Sequence, residues 1–409
     1  MCSGPGGEWI MGAAMAEDLK RRIGLGLLTA YGVGVMVGAG IYVLVGAVAA
    51  EAGIWAPLSF LIAGLIAAPS ALSYAEFSTR LPEAAGEAIF VAKGLRRPWL
   101  ANVVGLAVVA AGTVSAAAVL RGGTGYLTSV VDLPFNATAV VIGLLLVGVA
   151  IAGVLESLTV AAVFTVIEVA GLALVVWAGA SGEPVADYSM PPTVVWSGVA
   201  SAAVLAFFAF IGFEDIVNMA EEVRDPTHTM PRAILLALVI TSLLYMLVSW
   251  AAVRVVPLDR LAGSEQPLAL VWSHGQGGGA GFLSIIAVAA AMNGILAQIV
   301  MASRVLFGVG KRTTWLAVFH HAHPRFGTPV LATSLIGVLV IGMAVLLPIA
   351  NLAEATSAIL LSVFVLVNGA LIAVKRTDPH APFRVPMAVP VLGLLGSLAA
   401  LAISFGAGG

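Results

Sequence analysis

The amino-acid sequence predicts an all-α membrane protein that crosses the bilayer many times. Of its 409 residues, 60% are hydrophobic and only 10% are charged, whereas a typical soluble domain contains roughly 25% charged residues. The mean hydropathy is +1.07. Apolar runs close to the roughly 20 residues that a helix needs to cross a bilayer recur along most of the chain. An ordinary soluble enzyme and a disordered protein are therefore excluded.

Charge and cysteine content exclude further classes of protein. The net charge of −2 gives no excess that would attract nucleic acid or another highly charged partner. The single cysteine, Cys2, cannot form a disulfide framework or a cysteine-based metal site. Residues 1–24 lack an apolar run followed by a cleavage site, so we expect a cytoplasmic N-terminal segment rather than a signal peptide.

Eleven apolar runs qualify as membrane spans, and polar, proline-rich or glycine-rich segments separate them. The separators include an amphipathic stretch at 83–98, a proline-rich stretch at 183–192 and a glycine run at 274–281. We number the spans in chain order. They are expected at 25–49, 57–79, 99–121, 138–154, 158–180, 194–220, 231–253, 281–303, 328–349, 354–374 and 388–406.

The basic residues predict how the spans are oriented. If the N-terminus is inside and successive segments alternate sides, sixteen of the nineteen Lys and Arg residues fall on the cytoplasmic side. Only Arg121, Arg254 and Arg260 fall outside. Basic residues near the ends of spans resist translocation, so this distribution supports the alternation. We expect a multi-pass protein of the cytoplasmic membrane, with its N-terminus in the cytoplasm and its C-terminus outside.

Two spans contain glycine near their middle and are predicted to be discontinuous helices. Span 1 contains Gly-Ala-Gly at 38–40, where little side chain shields the backbone. In span 6, Gly212 interrupts an aromatic run and precedes Glu214 and Asp215, whose charges would be costly if they faced lipid. The alternative for the glycines of span 1 is close packing of an unbroken helix against a neighbour.

Interruptions at matching positions in two halves of a chain indicate a secondary transporter with inverted repeats. Spans 1 and 6 each begin a set of five, and an odd repeat length inverts the second copy in the membrane. Residues 25–180 would form the first repeat, residues 194–375 the second, and residues 388–406 an additional helix. The N-terminus of a half-helix attracts an anion, and unwound carbonyl groups suit an ammonium group. A zwitterion therefore fits such a break at both of its ends.

Several motifs resemble the amino acid–polyamine–organocation (APC) superfamily of permeases. VGAGIYVLVG at 37–46 is similar to the family's first-helix signature, in the form of its cationic amino acid transporter branch. SYAEFSTRLPEAAGEAIFVAKGL at 73–95 is similar to the end of the second helix and the loop after it. FFAFIGFEDIVNMAEEVRDPTHTMPRAI at 207–234 resembles the sixth-helix motif and its exit. The resemblance extends over residues 24–400.

The resemblance implies a LeuT-like core of five plus five inverted helices with a central amino acid site. Family members usually have twelve spans, whereas eleven are predicted here. By position, the backbone N–H groups of Ala39 and Gly40 would bind the substrate carboxylate. Either Phe208 or Phe210 would form an aromatic gate above the site. The substrate amine would be bound by the carbonyl groups of Met36, Phe208, Ala209 and Ile211.

Span 5 contains one ionisable residue, Glu168, near its middle. A charged residue at this depth indicates a functional site, and the alternative is a structural carboxyl paired within the bundle. Many family members have a lysine here, whose ammonium replaces a sodium ion between spans 1, 5 and 8, and Glu168 reverses that charge. Two roles for Glu168 are compatible with the sequence: binding of a coupled proton and attraction of a cationic substrate.

Three further polar residues are candidates for coupling or gating. Asn293 of span 8 is expected near Glu168, and Glu214 with Asp215 would form a gate or contact the substrate.

These features predict a secondary active transporter of amino acids, by symport or exchange, rather than an enzyme. The alternatives are a polyamine or organocation antiporter and an ion channel, for which no filter motif or ring of like charges is visible. No catalytic set of residues lies in a span, and the nucleotide-binding loop of a pump is absent. His320, His321 and His323 are interpreted as surface histidines. The expected partners are an amino acid, the lipid bilayer and, under proton coupling, H⁺; no cofactor, metal or nucleic acid is expected.

Overall fold

A computed structural model describes residues 23–81, 86–128, 130–153, 158–189, 192–220 and 222–406. Within these residues the chain is largely helical, and the only β-type contact is an isolated parallel bridge between Ile23 and Val223. Of the predicted N-terminal segment, residues 1–22 lie outside the described part. The helices are α1 (Leu25–Ala39), α2 (Ile41–Ala52), α3 (Ala56–Arg80), α4 (Gly86–Gly94), α5 (Trp99–Thr128), α6 (Phe135–Ala152), α7 (Leu158–Ser181), α8 (Ala186–Ser189), α9 (Trp196–Phe207), α10 (Pro226–Val255), α11 (Leu258–Ala262), α12 (Pro267–Gln276), α13 (Gly281–Arg312), α14 (Val330–Leu346), α15 (Ile349–Thr377) and α16 (Ala388–Gly406).

The described residues form nine helices that are long and apolar enough to cross a membrane, judged by length and composition. Two shorter apolar helices, Leu25–Gly38 and Val330–Leu346, accompany them. One of the nine, Ile41–Arg80, combines the second half of span 1 with span 2. All eleven predicted spans are therefore present as helices, which confirms an all-α polytopic membrane protein. The short helices α11 and α12 between spans 7 and 8 were not predicted.

Span 1 is interrupted within its glycine segment, as predicted. α1 ends at Ala39 and α2 begins at Ile41, and Gly40 between them has φ −127° and ψ −60°. The glycines also permit close packing, because a Cβ added to Gly38 would lie 3.1 Å from the carbonyl oxygen of Ala290 in α13. Both interpretations of this segment, a break and a close helix crossing, therefore apply.

Span 6 is interrupted more strongly than span 1. α9 ends at Phe207, a 3₁₀ turn covers Phe208–Phe210, and Ile211 is extended, with φ −62° and ψ 131°. Gly212 has a φ of +125°, which residues with a side chain rarely adopt. A second 3₁₀ segment, Glu214–Met219, then continues the span. The backbone conformation at position 212 therefore requires glycine.

α5 and α13 pack along a row of glycines. A Cβ added to Gly105, Gly112 or Gly123 of α5 would approach an atom of α13 to 2.6, 3.0 or 2.6 Å, respectively. Lipid tails are as apolar as the helix surfaces, so close packing of small residues is a main source of helix association in a membrane. The absence of side chains at these three positions allows spans 3 and 8 to lie against each other.

A buried ion cluster joins spans 2 and 10 to the segment before span 11. Oε1 of Glu76 accepts a hydrogen bond from Nη2 of Arg80 at 2.7 Å, one helical turn further along span 2. Oε2 of Glu76 accepts hydrogen bonds from Nζ of Lys375 at 2.6 Å and from the backbone N–H of Val385 at 2.9 Å. The Glu76 side chain is fully buried, and these donors compensate for its desolvation.

Candidate functional site

The two interrupted spans meet at their breaks. A Cβ built on Gly40 would lie 2.3 Å from Cα of Ala209 and 2.5 Å from its Cβ, so the backbones of spans 1 and 6 are in direct contact. On the other side of the contact, a Cβ on Gly212 would lie 3.1 Å from the backbone nitrogen of Met36. The structure thus brings Met36, Gly40 and Ala209 together at one place in the bundle.

The start of α2 provides backbone donors at this contact. The first N–H groups of a helix have no acceptor within the helix, and the helix dipole makes that end attractive to an anion. The carbonyl oxygen of Gly40 accepts hydrogen bonds from the N–H groups of Val43 and Leu44, at 3.2 and 3.0 Å. Ala39 and Gly40 lie immediately before α2. Binding of a carboxylate by Ala39 and Gly40 stays a prediction. The positive end of the helix dipole of α2 favours an anion at this position.

Two carbonyl groups that were predicted to bind an amine accept hydrogen bonds from nearby residues. The carbonyl oxygen of Phe208 accepts one from the N–H of Ile211 at 3.2 Å. The carbonyl oxygen of Ala209 accepts one from the hydroxyl of Tyr245 at 2.9 Å. A carbonyl oxygen has two lone pairs, so each retains the capacity to accept a second donor. At Met36, the sulfur accepts a hydrogen bond from the hydroxyl of Thr241 at 3.6 Å.

Aromatic side chains border the break in span 6. The ring of Phe210 packs edge-on against Tyr245, with 5.2 Å between the ring centroids. A Cβ added to Gly64 of span 2 would lie 3.2 Å from Cζ of Phe210, so this ring is held between spans 2 and 7. Phe208 is also buried. The role of Phe208 or Phe210 as an aromatic gate stays a prediction.

Glu214 and Asp215 lie inside the bundle, directly after the break in span 6, and both are buried. Oε2 of Glu214 accepts a hydrogen bond from the backbone N–H of Gly212 at 2.9 Å. Oδ2 of Asp215 accepts a longer hydrogen bond from Nε2 of Gln298 in span 8, at 3.4 Å. Glu214 therefore binds a backbone donor at the break, whereas Asp215 connects span 6 to span 8.

Glu168 lies in α7 where span 5 contacts both halves of span 1, and only 1% of its surface is exposed. The hydroxyl of Tyr42 in α2 donates to the backbone carbonyl of Glu168 at 2.8 Å. One turn earlier, the hydroxyl of Thr165 donates to the carbonyl oxygen of Ala30 in α1 at 3.0 Å. The Glu168 carboxyl is close enough to the hydroxyl groups of Tyr42 and Tyr245 for its charge to act on both. Tyr245 thus connects the surroundings of Glu168 to the break in span 6.

Span 8 borders the break in span 1 from another side. Asn293 is half-buried in α13 and precedes Gly294, whose Cα would lie 3.8 Å from a Cβ on Gly38. Asn293 therefore lies close to the break in span 1. Its role in coupling stays a prediction.

Four polar residues that were not predicted as site residues connect the spans around the breaks. Each of them lies in an otherwise apolar run, and this position could have indicated a contact between helices. A hydroxyl or amide group inside a membrane must form its hydrogen bonds within the protein. The sequence did not indicate which partner each would find. These residues are Tyr42, Thr165, Tyr245 and Gln298.

The histidines of the segment between spans 8 and 9 form no metal site in the structure as described. His320 and His321 are exposed, and Nδ1 of His323 accepts a hydrogen bond from the N–H of Arg325 at 3.2 Å. Across all the residues described, no group of three or more His, Cys, Asp and Glu side chains could hold a metal ion.

Comparison with known proteins gives a consistent set of relatives. A family model described as amino acid permease matches residues 23–409. The chain is 30% identical to the branched-chain amino acid permease BcaP of Bacillus subtilis, over 92% of this chain and 86% of that protein. It is also 30% identical to the methylthioribose transporter of Bacillus subtilis, over 83% of this chain and 78% of that protein. A vacuolar cationic amino acid transporter 4 of Arabidopsis thaliana is 31% identical, over 79% of this chain and 58% of that protein.

Proposed function

The chain belongs to the amino acid permease family, and from that premise we propose that it carries an amino acid across the cytoplasmic membrane by alternating access. It is a multi-pass membrane transporter by its family and its helical fold. In the proposed orientation the N-terminus is in the cytoplasm, in agreement with the concentration of Lys and Arg on that side.

The observation that best supports this function is the direct contact between the two broken spans at Gly40 and Ala209. A substrate carboxylate at the start of α2 and a substrate amine at the carbonyl groups of span 6 would join elements from the two halves of the chain. A ligand that makes both contacts favours the conformations in which both are within reach. Binding at such a junction is the basis of alternating access in transporters with inverted repeats.

The proposed repeats comprise residues 25–180 and residues 194–375, with residues 388–406 outside the LeuT-like core. The positions of the breaks support this division, because each break lies in the first span of its set of five. The backbone groups of Ala39 and Gly40 bind the substrate carboxylate in this proposal. Its amine is bound by the carbonyl groups of Met36, Phe208, Ala209 and Ile211.

Glu168 is the proposed coupling residue. Its burial beside both halves of span 1 supports this role, because a change of its charge would act directly on the broken helix. The negative charge of Glu168 would be neutralised either by a bound proton or by the positive charge of a cationic substrate. The pH dependence of transport distinguishes the two, because only the first binds H⁺ in each cycle.

A binding panel followed by uptake tests the function. Thermal unfolding of the purified protein is measured with each of the twenty amino acids, common polyamines and methylthioribose, because a ligand that binds only the folded state stabilises it. The stabilising compounds are then assayed for uptake into proteoliposomes. Saturable uptake of an amino acid supports the proposal. Binding of polyamines alone, or a conductance that does not saturate, would contradict it in favour of an antiporter of organic cations or a channel.

A further inference from the structure

Glu87 is a buried carboxyl that the proposed transport mechanism does not use. It lies in α4, the short helix between spans 2 and 3, outside the candidate membrane spans, and only 5% of its surface is exposed. α4 packs against α5, α15 and the 3₁₀ segment Glu214–Met219 of span 6. A carboxylate in such surroundings is unfavourable unless it is paired or takes up a proton.

Tyr74 of span 2 connects Glu87 to span 6. Its ring packs edge-on against Phe90 of α4, at 6.1 Å between centroids, and against Phe213 of span 6, at 5.7 Å. Its hydroxyl faces the Glu87 carboxyl and is fully buried. The hydroxyl interacts with the Glu87 carboxyl, and no other described residue lies within hydrogen-bonding distance of it. Because a buried polar group needs a partner, the Tyr74 hydroxyl and the Glu87 carboxyl stabilise each other at this contact.

Glu214 and Asp215 approach the same region from span 6. Their charges act on the hydroxyl of Tyr74, and the charge of Asp215 also acts on Glu87. Three buried carboxyl groups within electrostatic reach of one another cannot all ionise without cost, because each negative charge disfavours the next where water is scarce.

Several positive charges near α4 are engaged by other partners. Lys375 and Arg80 bind Glu76, and Arg121 at the far end of α5 donates to the carbonyl oxygen of Ala344. Burial raises the pKa of Glu87 well above its usual value, to about 7. Its own backbone N–H opposes this shift, the charge of Asp215 adds to it, and the hydroxyl of Tyr74 opposes it. The remaining titratable groups on α4 and the elements packed against it are Lys93, Tyr126, Glu354 and Arg376.

We propose that Glu87, with Tyr74, Glu214 and Asp215 around it, forms a second proton-binding site where α4 meets spans 2 and 6. A proton adds to a carboxylate oxygen of Glu87 while Asp215 is close. When the second half of span 6 moves away from α4 during transport, the charge of Asp215 recedes and Glu87 releases the proton to the cytoplasm. The ligand is H⁺ rather than a metal ion, because the described residues include no metal-binding group. The role in transport rests on the proposed function.

Difference infrared spectroscopy of the reconstituted protein tests the site without relying on transport. We expect a carboxylic-acid carbonyl band that disappears with a midpoint near pH 7 in the wild type and is missing in Glu87→Gln. Any band from the proposed coupling residue Glu168 should be the same in both proteins. Glu354→Gln, which replaces an exposed glutamate of α15, is the matched control and should retain the band. Identical carbonyl bands in Glu87→Gln and the wild type, or a midpoint near the ordinary value of about 4.3, would overturn the proposal.

Tyr74→Phe is the second variant and keeps the test decisive where Glu87→Gln does not fold. The hydroxyl of Tyr74 lowers the pKa of Glu87, so its removal should move the midpoint to higher pH. An unchanged midpoint in Tyr74→Phe would overturn the proposed cluster. A midpoint that shifts when sodium replaces potassium would also overturn it, since the site would then bind a metal cation.

Uptake by inverted membrane vesicles, in which the cytoplasmic face is outside, tests the role in transport. We expect Glu87→Gln to weaken the response of the amino acid flux to pH on that face, with Glu354→Gln unchanged. If the flux responds to pH equally in Glu87→Gln and the wild type, the second proton site has no role in transport, while the transport function stands. If no amino acid is carried but the infrared band behaves as expected, the transport function fails and the site itself stands.

Discussion

Oε2 of Glu214 accepts a hydrogen bond from the backbone N–H of Gly212, with 2.9 Å between the two atoms. The chain therefore supplies its own carboxylate to a backbone donor at the break in span 6. The start of α2 in span 1 is a different case, because no side chain caps it and Gly40 before it lies directly against Ala209 of span 6. A substrate carboxylate is accordingly expected at the break in span 1 rather than at the break in span 6.

Gly40→Val should abolish amino acid binding. The added side chain would overlap Ala209, whose Cα is 2.3 Å from the Cβ position. Overpacking of this kind costs about 1–3 kcal/mol or more, which corresponds to a loss of affinity of at least about fivefold. Titration calorimetry of the variant with the amino acid identified in the binding panel measures the loss. Gly148→Val is the control, because a Cβ at Gly148 has no neighbour within 4 Å; equal affinities in the two variants would place the site elsewhere.

Gly212→Ala should lower the stability of the protein. A side chain at φ +125° is strained, and the new Cβ would lie 2.7 Å from Cγ1 of Val35. The strain alone costs about 1–3 kcal/mol, which should appear as a lower melting temperature in thermal unfolding. Gly342→Ala in α14, where the Cβ meets nothing within 4 Å, should melt close to the wild type. Identical melting temperatures for both variants would show that the break tolerates a side chain.

The substrate should be an α-amino acid recognised at both of its charged ends. A decarboxylated analogue leaves the donors at the start of α2 without a partner, and an N-acetylated analogue leaves the carbonyl groups of span 6 without their donor. Neither analogue should compete with the amino acid for uptake into proteoliposomes. Full competition by a simple amine would contradict recognition of the carboxylate and favour a carrier of polyamines.

Glu168→Gln should preserve folding and substrate binding but flatten the dependence of net uptake on external pH. Glutamine keeps the size of the side chain and removes its capacity to bind a proton or hold a negative charge beside span 1. Glu168→Lys should give exchange that does not respond to pH, because it places a fixed positive charge at this position. Counterflow and net uptake measured across a pH series distinguish the variants. Should Glu168→Gln change neither the pH profile nor the preference for cationic substrates, Glu168 has only a structural role.

Stability should decrease as the pH rises through neutrality. Burial raises the pKa of Glu87 to about 7 in the folded protein, so the folded state binds the proton more strongly than the unfolded chain does. The stabilisation from Glu87 is complete below about pH 4.3, the ordinary value for a free Glu, and is lost as the pH rises through about 7. Its slope is at most about 1.4 kcal/mol per pH unit. Parallel melting curves for the wild type and Glu87→Gln across this range would contradict the shift.

The membrane-spanning helices could be predicted from the sequence because long apolar runs specify them directly, whereas short helices such as α11 and α12 could not. The breaks at Gly40 and Gly212 could also be predicted, since glycine is the residue that such backbone positions need. The side-chain contacts between helices could not be predicted. In an apolar run, the faces toward lipid and toward protein have similar residues, so the sequence does not indicate that Tyr245 meets Ala209. The same holds for Lys375, which binds Glu76 from 299 residues away.

The bridge between Ile23 and Val223 ties the start of span 1 to the segment that follows span 6. The N–H of Ile23 donates to the carbonyl of Glu222 at 3.0 Å, and the N–H of Arg224 donates to the carbonyl of Ile23 at 2.9 Å. The two broken spans are thus coupled mechanically at this end, in addition to their contact in the middle. While these bonds hold, the start of α1 and the segment after span 6 cannot separate, so any movement of one at this end requires movement of the other.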